Sequence, residues 1–244
     1  MGEKRKYLNF ILLTFPKNNN KITNMNLIAT KSISRITLNT LLIICVIIGT
    51  ILNAIKFGFI STISYFTIQS NLLCLVAGII TILLVMKKND PKDQKYIFIK
   101  GMSLAAILLT FFVYNFVLRP YLDAADSNRV ESIESILLHI IAPLIMFLDF
   151  LFFEEKGQYK IWYPFGWALF PVFYIVYTAV YKAFGGLYTY STGIAKFPYF
   201  FLDYETYGYK TVGLWVLLIT AGFIGFSFLL LGLSNLLLKL RKIS

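Results

Sequence analysis

Hydrophobic positions in this chain follow neither the three-to-four spacing of a surface helix nor the alternation of a half-buried strand. They form long unbroken runs separated by short polar stretches. Six runs, Ile36–Lys56, Phe66–Met86, Ile97–Leu118, Ile133–Phe153, Pro164–Phe184 and Thr211–Leu238, match the ~20 residues a helix needs to cross about 30 Å of hydrocarbon. The pattern predicts an all-α integral membrane bundle of six transmembrane helices. The sixth run, at 28 residues, should tilt or extend past the bilayer.

The stretches between the runs set an expected topology. Lys31 and Arg35 before the first run, Lys87, Lys88, Lys92 and Lys95 between the second and third, Lys156 and Lys160 after the fourth, and Lys239, Arg241 and Lys242 at the end all fall on one side of a six-span bundle. The excess of basic residues assigns that side, with both termini, to the cytoplasm. The opposite loops carry Asp123, Asp126, Glu131, Asp203 and Glu205. Residues 1–24 differ: Lys4-Arg5-Lys6 precedes a nine-residue apolar run and the polar stretch Lys17–Lys21. That run is too short to span and no signal cleavage pattern follows, so residues 1–24 read as a basic interfacial or disordered tail and 25–244 as the transmembrane domain.

Composition agrees. The 244 residues are 58% hydrophobic and 14% charged, against roughly 45–50% and about 25% in soluble domains. The net charge of +11 is accounted for by topology, since the basic residues sit between apolar runs rather than along one face, and no nucleic-acid partner is expected. A multi-pass protein of the plasma membrane is the expectation if the source is bacterial. Two cysteines inside apolar runs, Cys45 and Cys74, and a single histidine leave no basis for a disulfide framework, a metal site or another cofactor.

Polar residues are costly in hydrocarbon, so their alignment carries the functional signal. In the second run Thr67, Asn71, Cys74, Gly78 and Thr81 share a helix face; in the fourth, Ser132, Ser135, His139, Ala142, Met146 and Asp149 share another. Thr67 and His139 come to similar depth, about 6 Å apart along the membrane normal at 1.5 Å per residue. Asn53, Asn115 and Arg119 reach the same level, and together these residues predict a polar chamber open to the outside. Thr67 and His139 are the candidate nucleophile and base. Gln69, Asn71, Asn115 and Arg119 are the candidate substrate-binding groups, with Asn71 as an oxyanion donor and Arg119 facing a substrate carboxylate.

The string Tyr65-Phe66-Thr67-Ile68-Gln69-Ser70-Asn71, the spacing His139-x3-Pro143-x5-Asp149, Pro171 and Tyr174, and Phe197-Pro198-Tyr199-Phe200-Phe201-Leu202-Asp203 followed by Gly208-Tyr209 occur in order over residues 30–240. In these motifs the chain resembles the androgen-induced-gene family of six-helix membrane proteins, and within it the bacterial predicted six-transmembrane branch. The resemblance implies an intramembrane threonine hydrolase of fatty acid esters of hydroxy fatty acids, with Thr67 and His139 at the positions of the family's threonine and histidine.

A threonine hydroxyl needs a positioned base to become a nucleophile, and a buried neutral imidazole can serve. The expected function is cleavage of a lipid, fatty acyl ester, with membrane lipids as the surroundings. Asp149, about 15 Å further along its helix, is too far from His139 to orient it and is expected to pair with Lys87, Lys88 or Lys100. The alternative is a small-solute transporter or lipid-binding protein using the same chamber. Against it, the inner half offers few aligned polar groups besides Thr81 and Asp149.

Overall fold

The computed structural model of the chain describes residues 21–87, 93–120, 132–190 and 193–243. Of the expected tail, residues 1–20 lie outside the described residues, and Lys21–Asn24 begin the first helix. Six helices are long and apolar enough to cross a membrane. They are α1 (Lys21–Phe57), α2 (Phe66–Met86), α3 (Gln94–Leu118), α4 (Ile133–Phe153), α5 (Tyr163–Ala183) and α6 (Tyr204–Ile243). An even number of spans returns the chain to the end of the bundle from which it started.

The burial pattern is that of a protein whose solvent is lipid. Ile44, Ile47, Ile51, Leu83, Phe173 and Leu217 point outward, while Asn39, Ser70, Asn71, Lys100, Ser103 and Asp149 are fully or almost fully buried. In hydrocarbon, a bundle gains more from close packing and internal hydrogen bonds than from apolar burial, so small and polar residues turn inward. Helix α3 is the axis: 61% of its spanning window is buried, against 17% for α6. Gly101 explains part of this, because a Cβ there would stand 2.3 Å from the Trp167 ring of α5. The indole lies against bare backbone and donates to Phe98 O at 2.9 Å.

The helix limits follow the apolar runs closely, with two differences. Helix α1 starts well before Ile36, and Lys31 and Arg35 are carried on it. Helix α6 starts at Tyr204 and is broken at Gly208, whose φ of 77° and ψ of 155° suit only glycine, so the straight part begins near the expected Thr211. Gly222 and Gly225 of α6 face open space.

Two helices change register at the same level. Residues Tyr114–Leu118 of α3 and Leu137–Ile141 of α4 are π-helical. Pro143 has no N–H to return to His139 O, so the α-register cannot continue through that turn of α4. Between α5 and α6 the chain folds back over this end of the bundle as a hairpin, Tyr188–Tyr190 paired antiparallel with Gly193–Ala195, then a 3-10 turn, Phe200–Leu202. Tyr65 donates to Thr189 O at 3.0 Å and Thr189 N–H donates to Ser61 Oγ at 2.8 Å, which pins the hairpin to the start of α2.

Candidate functional site

Under the hairpin lies a chamber of about 570 Å³, walled by α1, α2, α3, α4, the start of α6 and the loop between α5 and α6. Thr67, the second residue of α2, and His139, within the π-helical turn of α4, meet in its wall: Thr67 Oγ1 is 3.2 Å from His139 Nε2. The two residues singled out from sequence are therefore brought into contact across 72 positions.

The other face of the imidazole determines how that contact works. His139 Nδ1 lies 2.9 Å from Ser135 O and 3.3 Å from Ser135 Oγ. A carbonyl oxygen only accepts, so the proton belongs on Nδ1, and Nε2 presents its lone pair to the threonine hydroxyl. Ser135 Oγ is in turn 2.5 Å from the Tyr114 hydroxyl, and the Tyr114 ring stacks on the imidazole with centroids 3.7 Å apart. Tyr114, Ser135 and the Ser135 carbonyl hold the ring, a task the sequence left unassigned. Only Ser135 carried a signal, its place on the His139 face.

Asp203 and Glu205 line the chamber but turn elsewhere. Asp203 Oδ1 accepts from Thr206 N–H at 3.0 Å, and Glu205 takes Lys182 at 2.5 Å and Lys196 at 2.9 Å. Glu134, not singled out from sequence, pairs with Lys56 at 3.1 Å in the same wall.

The four candidate substrate-binding residues are placed differently from the expectation. Asn71 is fully buried beneath the pair, and its two amide protons go to Thr67 O at 2.7 Å and Leu138 O at 3.1 Å. It clamps α2 to α4 and has no donor left for an oxyanion. Gln69 donates to Ile63 O at 3.3 Å and Asn115 to Phe111 O at 2.8 Å, each serving its own neighbourhood of backbone. Arg119 caps the end of α3. None of the four lines the chamber, because helical rotation turns Gln69 and Asn115 away and the π-helical turn resets the direction of the residues beyond Tyr114. Asn53 does line it, and accepts from Thr62 Oγ1 at 3.0 Å.

Tyr199, to which the sequence assigns no role, lines the chamber beside Thr67. Its phenol interacts with the side chains of Thr67 and Tyr174, and burial pushes it up to about 12, so it stays a donor at neutral pH. Behind Thr67 a narrow apolar slot of about 60 Å³ runs between α3, α5 and α6, lined by residues such as Phe66, Val113, Pro171 and Val216. Thr67, Tyr114, Leu118 and Tyr199 belong to both spaces, so the threonine hydroxyl sits where the polar chamber meets the apolar slot.

The opposite end of the bundle is more polar than expected. Asp149 Oδ1 accepts from Asn39 Nδ2 at 2.8 Å and Arg35 Nε at 3.3 Å, and Lys100 Nζ is 3.0 Å from Oδ2. Of the three expected lysines Lys100 is the partner, joined by Arg35 and Asn39. Thr81 accepts from Lys100 at 3.2 Å and contacts the Tyr96 hydroxyl at 2.8 Å. Between this cluster and the chamber, Leu42, Val46, Cys74, Ala77, Leu104 and Met146 are at most 1% exposed. Among the described residues no group of three or more His, Cys, Asp or Glu side chains could hold a metal ion. No family model, no curated protein and no solved structure matches the chain.

Proposed function

We propose that this multi-pass membrane protein is an ester hydrolase acting on amphiphilic acyl esters, with Thr67 as nucleophile and His139 as general base. The observation that carries the reading is the oriented contact itself: an imidazole whose Nδ1 is engaged by a backbone carbonyl and whose Nε2 faces a threonine hydroxyl at 3.2 Å. A lone membrane threonine more often bonds its own helix backbone, and a lone histidine more often packs; here each faces the other across two helices.

In the reaction, Thr67 Oγ1 attacks the ester carbonyl as its proton passes to His139 Nε2. The imidazolium, steadied by Ser135 O, returns that proton to the leaving alkoxide, and the acyl group stays on Thr67. Water then enters, His139 takes its proton, and hydroxide displaces the acyl group as a carboxylic acid while Thr67 recovers its hydrogen. The Tyr199 phenol is the donor available to the carbonyl oxygen as it becomes negative. The apolar slot suits an acyl arm and the polar chamber the other arm of the substrate. The positive-inside rule puts the Asp149 end in the cytoplasm and the chamber outside. The sequence resemblance to the androgen-induced-gene family points to the same chemistry.

A transporter needs a path between the two ends, and the packed residues from Leu42 to Met146, with the ion cluster beyond them, speak against one. The test is turnover of long-chain acyl esters by the purified protein, beside Thr67→Ala and His139→Ala, with fluorophosphonate labelling read by mass spectrometry. Loss of about 10²–10⁴ in rate in each variant, with an adduct on Thr67, is the expected outcome. Equal rates in three folded proteins and no adduct would sink the proposal.

A further inference from the structure

At the end of the bundle opposite the chamber is a second cavity, of about 210 Å³. The cationic part of its wall is Lys31 and Arg35 from α1 and Lys100 from α3; the acidic part is Glu154 and Glu155, directly after α4. These residues lie outside the chemistry proposed above, and the cavity stands on them alone.

The ion cluster around Asp149 leaves three atoms wanting, Asn39 Oδ1 and one each on the cavity residues Arg35 and Glu154. Arg35 uses Nε on Asp149, but its Nη2 is buried without a hydrogen-bond partner, in a side chain only 9% exposed. Glu154 accepts from the Tyr159 hydroxyl at 2.9 Å through Oε2, while its Oε1 is buried and equally unpartnered. Burial pushes the Glu154 carboxyl up, against the pull of Lys100, Lys156 and Arg35. The two residues that carry these orphaned atoms, Arg35 and Glu154, line one cavity. Buried polar atoms are ordinarily satisfied, by protein, water or ligand.

An anion alone would meet Glu154 and Glu155, and a cation alone would meet Lys31, Arg35 and Lys100. A molecule with both signs satisfies the two parts of the wall together. The planar fork of Arg35 matches the oxygens of a phosphate, and a primary ammonium has N–H donors for Glu154. The cavity is lined by residues of α1 and of the loop after α4, and the positive-inside rule assigns this end of the bundle to the cytoplasmic headgroups. We propose that this cavity binds a phosphoethanolamine group, its phosphate against Lys31 and Arg35 and its ammonium against Glu154 and Glu155. The group is supplied by a phosphatidylethanolamine molecule or by the free zwitterion.

The experiment uses the full chain purified in detergent. Native mass spectrometry measures retention of phosphatidylethanolamine, phosphatidylcholine and phosphatidylglycerol, and thermal unfolding is followed with free phosphoethanolamine. The variants are Lys31→Gln and Glu155→Gln, both at exposed positions that folding tolerates, with Lys87→Gln outside the cavity as control. Loss of one charged contact corresponds to about a tenfold drop in affinity. The expected result is preferential retention of phosphatidylethanolamine over the other two lipids, falling about tenfold in each cavity variant and unchanged in the control. A thermal shift with free phosphoethanolamine that both cavity variants lose, without lipid preference, supports the same site with the soluble zwitterion as its source. Equal retention of the three lipids with no thermal shift overturns the proposal, leaving water in the cavity. Preference for phosphatidylglycerol, or any preference that survives both variants, overturns it as well.

Discussion

Asn71→Ala is the substitution that best tests how the site is held. The amide donates to Thr67 O at 2.7 Å and to Leu138 O at 3.1 Å, tying the nucleophile's helix to the histidine's helix directly beneath the pair. Hydrogen bonds between membrane helices are worth about 0.6 kcal/mol on average, and about 1 kcal/mol each in soluble proteins, so losing two costs about 1–2 kcal/mol. The site is fully buried, and the void left by truncation adds about 1 kcal/mol. Unfolding of the detergent-solubilised protein should therefore shift by about 2–3 kcal/mol. Turnover should fall too, because the 3.2 Å contact depends on the register of α2 against α4, and a misplacement of about 1 Å costs up to about 10²-fold. Unfolding and ester turnover are measured on the same preparation. An oxyanion donor would behave differently, losing about 10²–10³ in rate with stability unchanged. That second pattern would refute the clamp and restore Asn71 to the chemistry.

Tyr114→Phe keeps the ring stacked on His139 but deletes the hydroxyl 2.5 Å from Ser135 Oγ; a loss of about 1 kcal/mol predicts turnover down about fivefold, with substrate affinity unchanged. Asp149→Ala strands Lys100 and Arg35 in the packed end of the bundle, and unfolding should be easier by about 3–5 kcal/mol, with partial recovery when Lys100→Met is added. Lys156, against the Phe150 carbonyl and ring, has its ammonium lowered by burial from 10.5 to about 8. The unfolded chain then binds more protons between pH 8 and 10.5, so stability rises with pH across that window, by at most about 3 kcal/mol. Thermal unfolding at pH 7.5 and 10 should show the rise, and Lys156→Met should remove it.

What could be read from the chain is what a bilayer imposes locally. A run such as Phe66–Met86 must satisfy its backbone internally, so it is a helix whatever its neighbours do, and its limits coincide with the apolar run. Thr67 and His139 were legible as rare polar residues at comparable depth. Asn71 was misread because side-chain alignment gives a face but not the partner that face meets, and the partner turned out to be Leu138 O. Tyr114 was not legible, and Tyr199 was noticed only within the string Phe197–Asp203 and given no role, each being one aromatic among 16 tyrosines in a chain where most tyrosines read as interfacial anchors.

The Asp149 end shows the same division. Sequence placed a carboxylate among possible lysines; packing chose Lys100, added Arg35 and Asn39, and left Arg35 Nη2 and Glu154 Oε1 without hydrogen-bond partners. Which helix turn adopts π register, which phenol reaches the threonine and which carbonyl takes the imidazole proton are non-local outcomes. Hydrophobicity and spacing act within one segment, so the sequence by itself determined six membrane helices and the polar residues worth watching. Only tertiary packing could decide which polar groups meet, since each contact joins segments tens of residues apart and its geometry depends on how every helix between them is rotated.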